Sequence, residues 1–276
     1  MYYYIFEPAQ NPKEQKIQEE IKALLQSRSI VGEFVTLSLA EEPQDLARVG
    51  LRKNYSTVVA CGSDTLINEI GAGITGTEAV LGAIPFEENS VFHQILGTKN
   101  YTDACDILPS RKVLKVDTGL INQEKIFVSS VTVRPKKELI AGEGLIIVSF
   151  DGDFQAETKL CNITVSNVGI KRKSTKKVRA ALTDHHLDIF IPDQLRKKEG
   201  FLSRIFGRAP SEKTPKTGSI FRPKKISIES RKKLITMLGN KEIAKGNLII
   251  ESYPSSLNIV VKRMRPKAQS DGDSNS

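Results

Sequence analysis

The chain contains no tryptophan, and aromatic residues make up only 6% of it. Stacking platforms for single-stranded nucleic acid are therefore poorly supplied. Cysteine is scarce as well: Cys61, Cys105 and Cys161 stand far apart and form no CxxC pair. That spacing argues against a disulfide framework or a zinc site and fits a reducing cytoplasm. No apolar run reaches the ~18 residues of a membrane span. The apolar opening at residues 1–6 stops at Glu7 without a basic flank or a cleavage-type ending, so it does not read as a signal peptide. The expected protein is soluble and cytoplasmic, or peripheral at the inner face of a membrane.

What the chain does have is length, charge and an alternation of elements. Its 276 residues suffice for one large domain or two ordinary ones. Hydrophobic residues at 39% and charged residues at 26% give a globular balance. The formal net charge of +9 points to an anionic partner: a nucleotide, an anionic lipid surface or a nucleic acid. The plain alternative is a lysine-rich solubilising surface.

Residues 2–6 predict a strand that Pro8 ends, and residues 13–26 a helix with Ile17, Ile21, Leu24 and Leu25 on one face. A strand is expected at 34–39, a helix at 41–49 and a strand end at 57–60. Gly62 to Thr65 then turn, and Leu66, Ile67, Ile70 and Ile74 fall at helical spacing. A further strand at 80–85 and a helix at 89–96 follow. Strands alternating with helices imply a parallel α/β layer, whose ligands sit at the carboxyl ends of the strands. A strand, a small polar turn and a helix aim backbone N–H groups and a positive helix end at an anion. The turn at 62–65 is thus the expected phosphate site. From residue 112 short β-rich runs take over, at 112–116, 126–133, 144–150, 155–159, 160–165, 187–191, 226–228, 248–252 and 257–261. They predict an antiparallel β-sandwich rather than a continuation of the α/β layer.

Several stretches repeat a known order. Gly62-Ser63-Asp64-Thr65-Leu66, Ile67-Asn68-Glu69-Ile70 and Ala72-Gly73-Ile74 follow without a gap. Leu81-Gly82-Ala83-Ile84-Pro85-Phe86-Glu87-Glu88-Asn89-Ser90-Val91-Phe92 and Leu96-Gly97 come next. This order resembles the diacylglycerol kinase and sphingosine kinase-like catalytic domain, with its NAD kinase relatives. There a Gly-Gly-Asp-Gly-Thr turn precedes Asn-Glu-Val, Asn-Gly-Leu and Leu-Gly-x-x-Pro-x-Gly-Thr-Gly-Asn-Asp-Phe. Asp117-Thr118-Gly119-Leu120-Ile121-Asn122 is similar to the family's Asp-x-Gly-x-x-Asn, and Ser166-Asn167-Val168-Gly169 to its Ser-Asn-x-Gly. Leu182-Thr183-Asp184-His185-His186-Leu187-Asp188 is similar to its Leu-Asp-Asp-Gly-x-Leu-Asp.

The resemblance covers nearly the whole chain. It implies an α/β + β fold: an N-terminal parallel-sheet α/β nucleotide-binding domain over 1–111 and a C-terminal antiparallel β-sandwich over 112–266. Residues 267–276 read as a disordered tail by composition. The resemblance also implies phosphoryl transfer from ATP, with Mg2+, to a lipid hydroxyl. Gly62, Ser63, Asp64, Thr65, Asn68, Glu69 and Asn89 would surround the nucleotide. Asp64 would lie by the phosphates, and Asp184 would be the base and a metal ligand. Other readings stay open. Asp184 also fits a turn aspartate, and Asp64 and Glu69 fit capping and dipole compensation at a helix N-terminus. His185 and His186, which replace a Gly, fit exposed loop residues.

The departures from the family pattern all weaken phosphate handling. Ser63 and Thr65 replace glycines, Glu87-Glu88-Asn89-Ser90-Val91 replaces Gly-Thr-Gly-Asn-Asp, and Glu7-Pro8-Ala9-Gln10-Asn11 replaces an Asn-Pro with its Gly-containing loop. Gly239-Asn240-Lys241 stands where the family has Asp-Gly-Glu. Glycine lets backbone approach a phosphate closely, and Glu87 and Glu88 would meet it with like charge.

Bases cluster at Lys171-Arg172-Lys173 with Lys176 and Lys177, and again from Arg196 to Lys225. Within the second cluster Phe201, Leu202, Ile205 and Phe206 interleave with the bases. Such a basic amphipathic segment lies on anionic membranes. Arg196, Lys197, Lys198, Phe201, Arg204 and Phe206 are the expected membrane contacts. Nucleic acid is not an expected partner, since no binding motif accompanies the scarce aromatics. Two functions follow: a lipid kinase, or a catalytically inactive member kept as a membrane-associated binding or regulatory module with weak or lost nucleotide binding. A homodimer is compatible with either.

Overall fold

The computed structural model describes residues 1–38, 40–110, 112–136, 144–172, 174–193 and 217–263. Tyr2–Phe6 forms β1, a run of large β-formers that is buried throughout. Pro12–Ser27 forms α1, started by the side chain of Asn11, which accepts from the Glu14 N–H. Gly32–Thr36 is β2, Pro43–Arg52 is α2, Thr57–Gly62 is β3 and Asp64–Ile74 is α3. Val80–Pro85 is β4, Val91–Leu96 is α4 and Tyr101–Ile107 is α5. β2, β1, β3 and β4 pair in that order, all parallel, as the alternation of elements predicts.

The second half adds β5 (Val113–Ile121), β6 (Lys125–Phe127), β7 (Ser130–Pro135), β8 (Leu145–Phe150), β9 (Phe154–Lys159) and β10 (Ile163–Ser166). The short helix α6 (Thr175–Ala181) precedes β11 (Asp188–Pro192), β12 (Gly218–Phe221), β13 (Lys225–Glu229), β14 (Leu234–Leu238), β15 (Lys241–Lys245) and β16 (Leu248–Val260). Six of these form one antiparallel sheet in the order β12-β11-β10-β7-β14-β15. The fold class is the expected one, a parallel α/β layer followed by an antiparallel sandwich.

The junction differs from expectation. The other sheet of the sandwich does continue the α/β layer. Residues 248–252 and 257–261 were expected as separate strands, yet they belong to one strand. Its first part pairs with β13, while Asn258 and Ile259 lie parallel to Val80 and Leu81 of β4. β5 runs antiparallel along both parts, with a register shift between Tyr253 and Leu257. Ser255 sits in that shift with φ of 47°. A bulge re-aims a strand in this way, and it lets β16 serve two cores. Leu248 and Ile250 enter the sandwich core, and Leu257, Ile259, Val260 and Val261 enter the α/β core.

The run at 126–133 splits into β6 and β7 at Val128 and Ser129, for a reason given below. α5, α6, β12, β14 and β15 have no counterpart in the sequence reading. α5 and α6 are each seven residues long, too short for a helical period to stand out. β15 is Lys-Glu-Ile-Ala-Lys, a charged edge strand. Charge on an edge guards against pairing with other chains and hides the strand pattern. The expected membrane contacts Arg196, Lys197, Lys198, Phe201, Arg204 and Phe206 lie outside the described residues, as does the expected tail. The sequence also predicts a flexible loop at 210–218; only residues 217 and 218 of it are described, and Gly218 opens β12.

Gly119 of the Asp-Thr-Gly motif lies in β5 opposite Phe127 of β6, whose ring covers the space a Cβ would need. Replacement Gly119→Ala is expected to overpack this contact and to lower stability by about 1–3 kcal/mol in urea unfolding.

Candidate functional site

The strand and helix stand where the sequence places them, but the turn expected at 62–65 shrinks to Ser63, with Gly62 in β3 and Asp64 and Thr65 in α3. β3 ends at Gly62, between β1 and β4, and Ser63 caps α3 by accepting the Leu66 N–H at 3.3 Å. The positive end of α3 therefore opens at the carboxyl edge of a parallel sheet. A group of the chain itself lies there. Glu7 follows β1, and its N–H is fixed to the Cys61 carbonyl. Its carboxylate accepts the Ser63 N–H at 2.5 Å and the Ser63 hydroxyl at 2.9 Å. A Cβ on Gly62 would meet Glu7 Oε2 at 2.5 Å, so the glycine makes room for this carboxylate. Glu7 is the residue that sequence reasoning missed. Its signal was an acid in place of the family's Asn, one residue past a strand that neighbours the turn.

Asp64 points to the next turn. It accepts the Ser90 hydroxyl through Oδ1 and the Val91 N–H through Oδ2, at 3.2 Å for the latter. Asp64 thus satisfies the start of α4. Ser90 is buried in this contact, whereas Glu87, Glu88 and Asn89 are exposed on the turn. On α4 the buried His93 bonds Thr98 Oγ1 through Nδ1 at 2.8 Å, and its Nε2 has no partner among the described residues.

Asn68 and Glu69 are also engaged. Asn68 Oδ1 accepts the N–H groups of Val128 and Ser129 at 2.9 and 2.8 Å. Its amide donates to the Asp64 carbonyl and to Ser129 Oγ, at 2.8 Å each. This clamp separates β6 from β7. Asn167 reaches the same turn and donates to the carbonyls of Asp117 and Val128. Glu69 is nearly buried and pairs with Lys241 Nζ at 2.5 Å, and Lys241 also holds Glu42 at 2.8 Å. Burial alone would push the Lys241 pKa down, but its hydrogen bonds to Glu42 and Glu69 outweigh that and hold it above its ordinary value. The turn that leads into Lys241 lies on α3, since a Cβ on Gly239 would meet Thr65 Oγ1 at 2.5 Å.

Asp184 belongs to a different cluster. Its Oδ1 accepts the His186 N–H at 3.0 Å, and its Oδ2 takes Arg222 at 2.5 Å. Arg222 also bonds the buried Asp188 at 3.0 Å. His185 takes φ of 61°, in the left-handed region that glycine enters most easily. Its Nδ1 lies 3.1 Å from Oδ1 of the buried Asp117, which also accepts the His185 and Ser255 N–H groups. The two histidines are therefore anchored, each to its own carboxylate. No hydrogen bond or ion pair among the described residues joins Asp184 to Asp64.

The structure thus gathers Glu7, Gly62, Ser63, Asp64 and Ser90 at the carboxyl edge, with Asn68 and Glu69 buried behind them and Thr65 half-buried. Among the described residues Asp184 makes no hydrogen bond or ion pair with this group, and Asn89 is exposed. These residues do not fit a magnesium-bound nucleotide. The N–H and hydroxyl of Ser63 serve Glu7, Asp64 serves α4, Glu69 serves Lys241 and Asp184 serves Arg222. Among the described residues no three His, Cys, Asp or Glu side chains form an ion-binding group.

The whole architecture has solved counterparts. A diacylglycerol kinase from Bacillus anthracis aligns over 95% of this chain and 96% of its own, with a TM-score of 0.70 at 15% identity. The chain has the diacylglycerol kinase and NAD kinase-like fold. An NAD kinase from Archaeoglobus fulgidus, solved in complex with ATP, shares this fold at a TM-score of 0.56 and 12% identity, over 94% of this chain and 93% of its own. Yeast NADH kinase, complexed with NADH, shares it at 0.53 and 10%, over 95% and 84%. No protein-family model matches the sequence, and no curated protein sequence matches it. Among the described residues no helix is long and apolar enough to cross a membrane.

Asn68 acts here as a clamp. Asn68→Ala would strand two buried donors and is expected to cost about 2–5 kcal/mol of stability in urea unfolding. His93 supplies a pH signature. Burial pushes its pKa below the ordinary value of 6.5, although Asp64 pulls the other way. The unfolded chain then takes up a proton that the folded chain refuses. This contribution is whole above about pH 6.5 and is lost as pH falls below it, by at most about 1.4 kcal/mol per unit. The drop in urea midpoint between about pH 7.5 and about pH 5.5 is expected to be smaller in His93→Asn.

Proposed function

We propose that this chain keeps the lipid-kinase fold as a binding or regulatory module and has lost phosphoryl transfer. The Glu7 carboxylate on Ser63 carries this reading. Phosphoryl transfer depends on positioned phosphates, a metal and a group that orients the accepting hydroxyl. A phosphate entering the α3 turn would meet a carboxylate already bonded to the donors it needs. Two unit negative charges about 4 Å apart repel by about 4 kcal/mol at an effective dielectric of about 20, roughly a thousandfold in affinity. The ion pairs of Glu69 and Asp184 support the same reading, because each neutralises a carboxylate that a metal would need. Association with an anionic membrane rests on the sequence cluster from Arg196 to Phe206.

Calorimetry with Mg·ATP tests the proposal. The unaltered chain is expected to show no binding below millimolar concentrations. Glu7→Asn, which removes the charge, is expected to tighten binding at least about tenfold. Micromolar affinity in the unaltered chain would overturn the proposal. It would restore a lipid kinase in which Asp64 lies by the phosphates and Asp184 serves as base and metal ligand.

A further inference from the structure

A second place for an anion lies away from Glu7, where α6 meets the ends of β5 and β16. A groove of about 640 Å³ opens there. Sites for small molecules span roughly 300–1,000 Å³. Five bases line it, Lys112, Lys176, Arg179, Lys262 and Arg263, and no acidic residue does. Val113, Leu114 and Val261 supply an apolar floor. Among the described residues none of the five bases is paired with a carboxylate.

Arg179 shows the imbalance most clearly. It is only 8% exposed. Its Nε donates to the Ile95 carbonyl at 2.9 Å, and its two terminal nitrogens donate to the Lys262 and Leu96 carbonyls at 3.0 and 2.6 Å. All three acceptors are neutral carbonyls. Two of them end α4, and a helix end carries at most about half a negative charge. Buried charges in proteins are normally paired. Burial accordingly pushes the Arg179 pKa down. A guanidinium has five N–H groups, so Arg179 retains donors after these three bonds. Lys176 adds to the cost, since it sits in the first turn of α6 beside the positive end of the helix.

We propose that this groove binds a phosphate ester, its phosphate among Lys112, Lys176, Arg179 and Lys262 and its carbon part on Val113, Leu114 and Val261. A carboxylate would offset one of five cations. A phosphate monoester carries about 1.5 to 2 negative charges near neutral pH and offers oxygens for several charge-assisted bonds. A lipid headgroup and a soluble metabolite share this chemistry. The site stands whether or not the α3 turn binds nucleotide, because the two have no residue in common.

The test titrates glycerol 3-phosphate and dihexanoyl phosphatidic acid, in separate calorimetric runs, into the full chain and into its Lys112→Ser, Lys176→Ser, Lys262→Ser triple variant. All three lysines are exposed, so the variant is expected to fold, and circular dichroism checks this. At least one probe is expected to bind, more weakly at high salt, and about tenfold or more weakly to the variant. Binding of phosphatidic acid alone assigns the groove to a lipid headgroup, and binding of glycerol 3-phosphate alone assigns it to a soluble ester. Binding of both assigns recognition to the phosphate itself. If neither probe binds the full chain, or the variant binds as well as the full chain, the proposal is overturned. Mg·ATP titrated into the same variant reports on the α3 turn alone, which keeps failure of this site distinct from failure of the proposed function.

Discussion

Two hydrogens at the start of α3, the N–H and O–H of Ser63, bind the carboxylate of Glu7, and much of the carboxyl edge of the sheet is arranged around that contact. A helix N-terminus next to a strand end attracts an anion by geometry alone. In this chain the anion is covalently part of the protein. Its effective concentration is high and fixed, because β1 and β3 are adjacent strands held in register from Tyr2 and Thr57 onward. The close approach that keeps Gly62 a glycine follows from the same carboxylate. So does the change of the next residue to serine, which both caps the helix and donates to Glu7.

Two other carboxylates singled out in the sequence, Glu69 and Asp184, have found a counter-charge within the fold. Lys241 meets Glu69. Arg222 bridges Asp184 and Asp188. These exchanges lower the cost of burying carboxylates and remove the unpaired negative charge that would draw in a cation. The contrast with Arg179 is direct. There the burial remains, and among the described residues no carboxylate pairs with the guanidinium.

Much of the fold was legible from residue pattern. The runs at 2–6 and 80–85 and the helical spacing of Leu66, Ile67, Ile70 and Ile74 gave β1, β4 and α3, because strong periodicity and burial coincide there. The joining of the two halves was not legible. β16 reads as two strands since Pro254 and Ser255 interrupt it, and pairing of Asn258 with Val80 is a long-range fact that no local pattern carries. The site was legible in its positions and not in its partners. Asp64, Asn68 and Glu69 were singled out as residues around a nucleotide, and in the structure they bond groups of the chain itself. Which groups they serve depended on Ser90, Val128, Ser129 and Lys241, which come close only in three dimensions. The alternative reading of Asp64 and Glu69 as helix-terminal groups came near the arrangement, although Asp64 caps α4 rather than its own helix.

β16 also governs the order in which the molecule can be completed. The edge of β4 receives Asn258 and Ile259 from far along the chain, so the α/β sheet has an unpaired parallel edge throughout synthesis of the intervening residues. Closing that edge is a contact of very long sequence separation, the kind that slows folding and leaves intermediates exposed. The kink at Ser255 lets one late-arriving strand seal both cores at once. A chain that lacks this strand leaves β4, β5 and β13 each without one neighbour, so both halves lose pairing together.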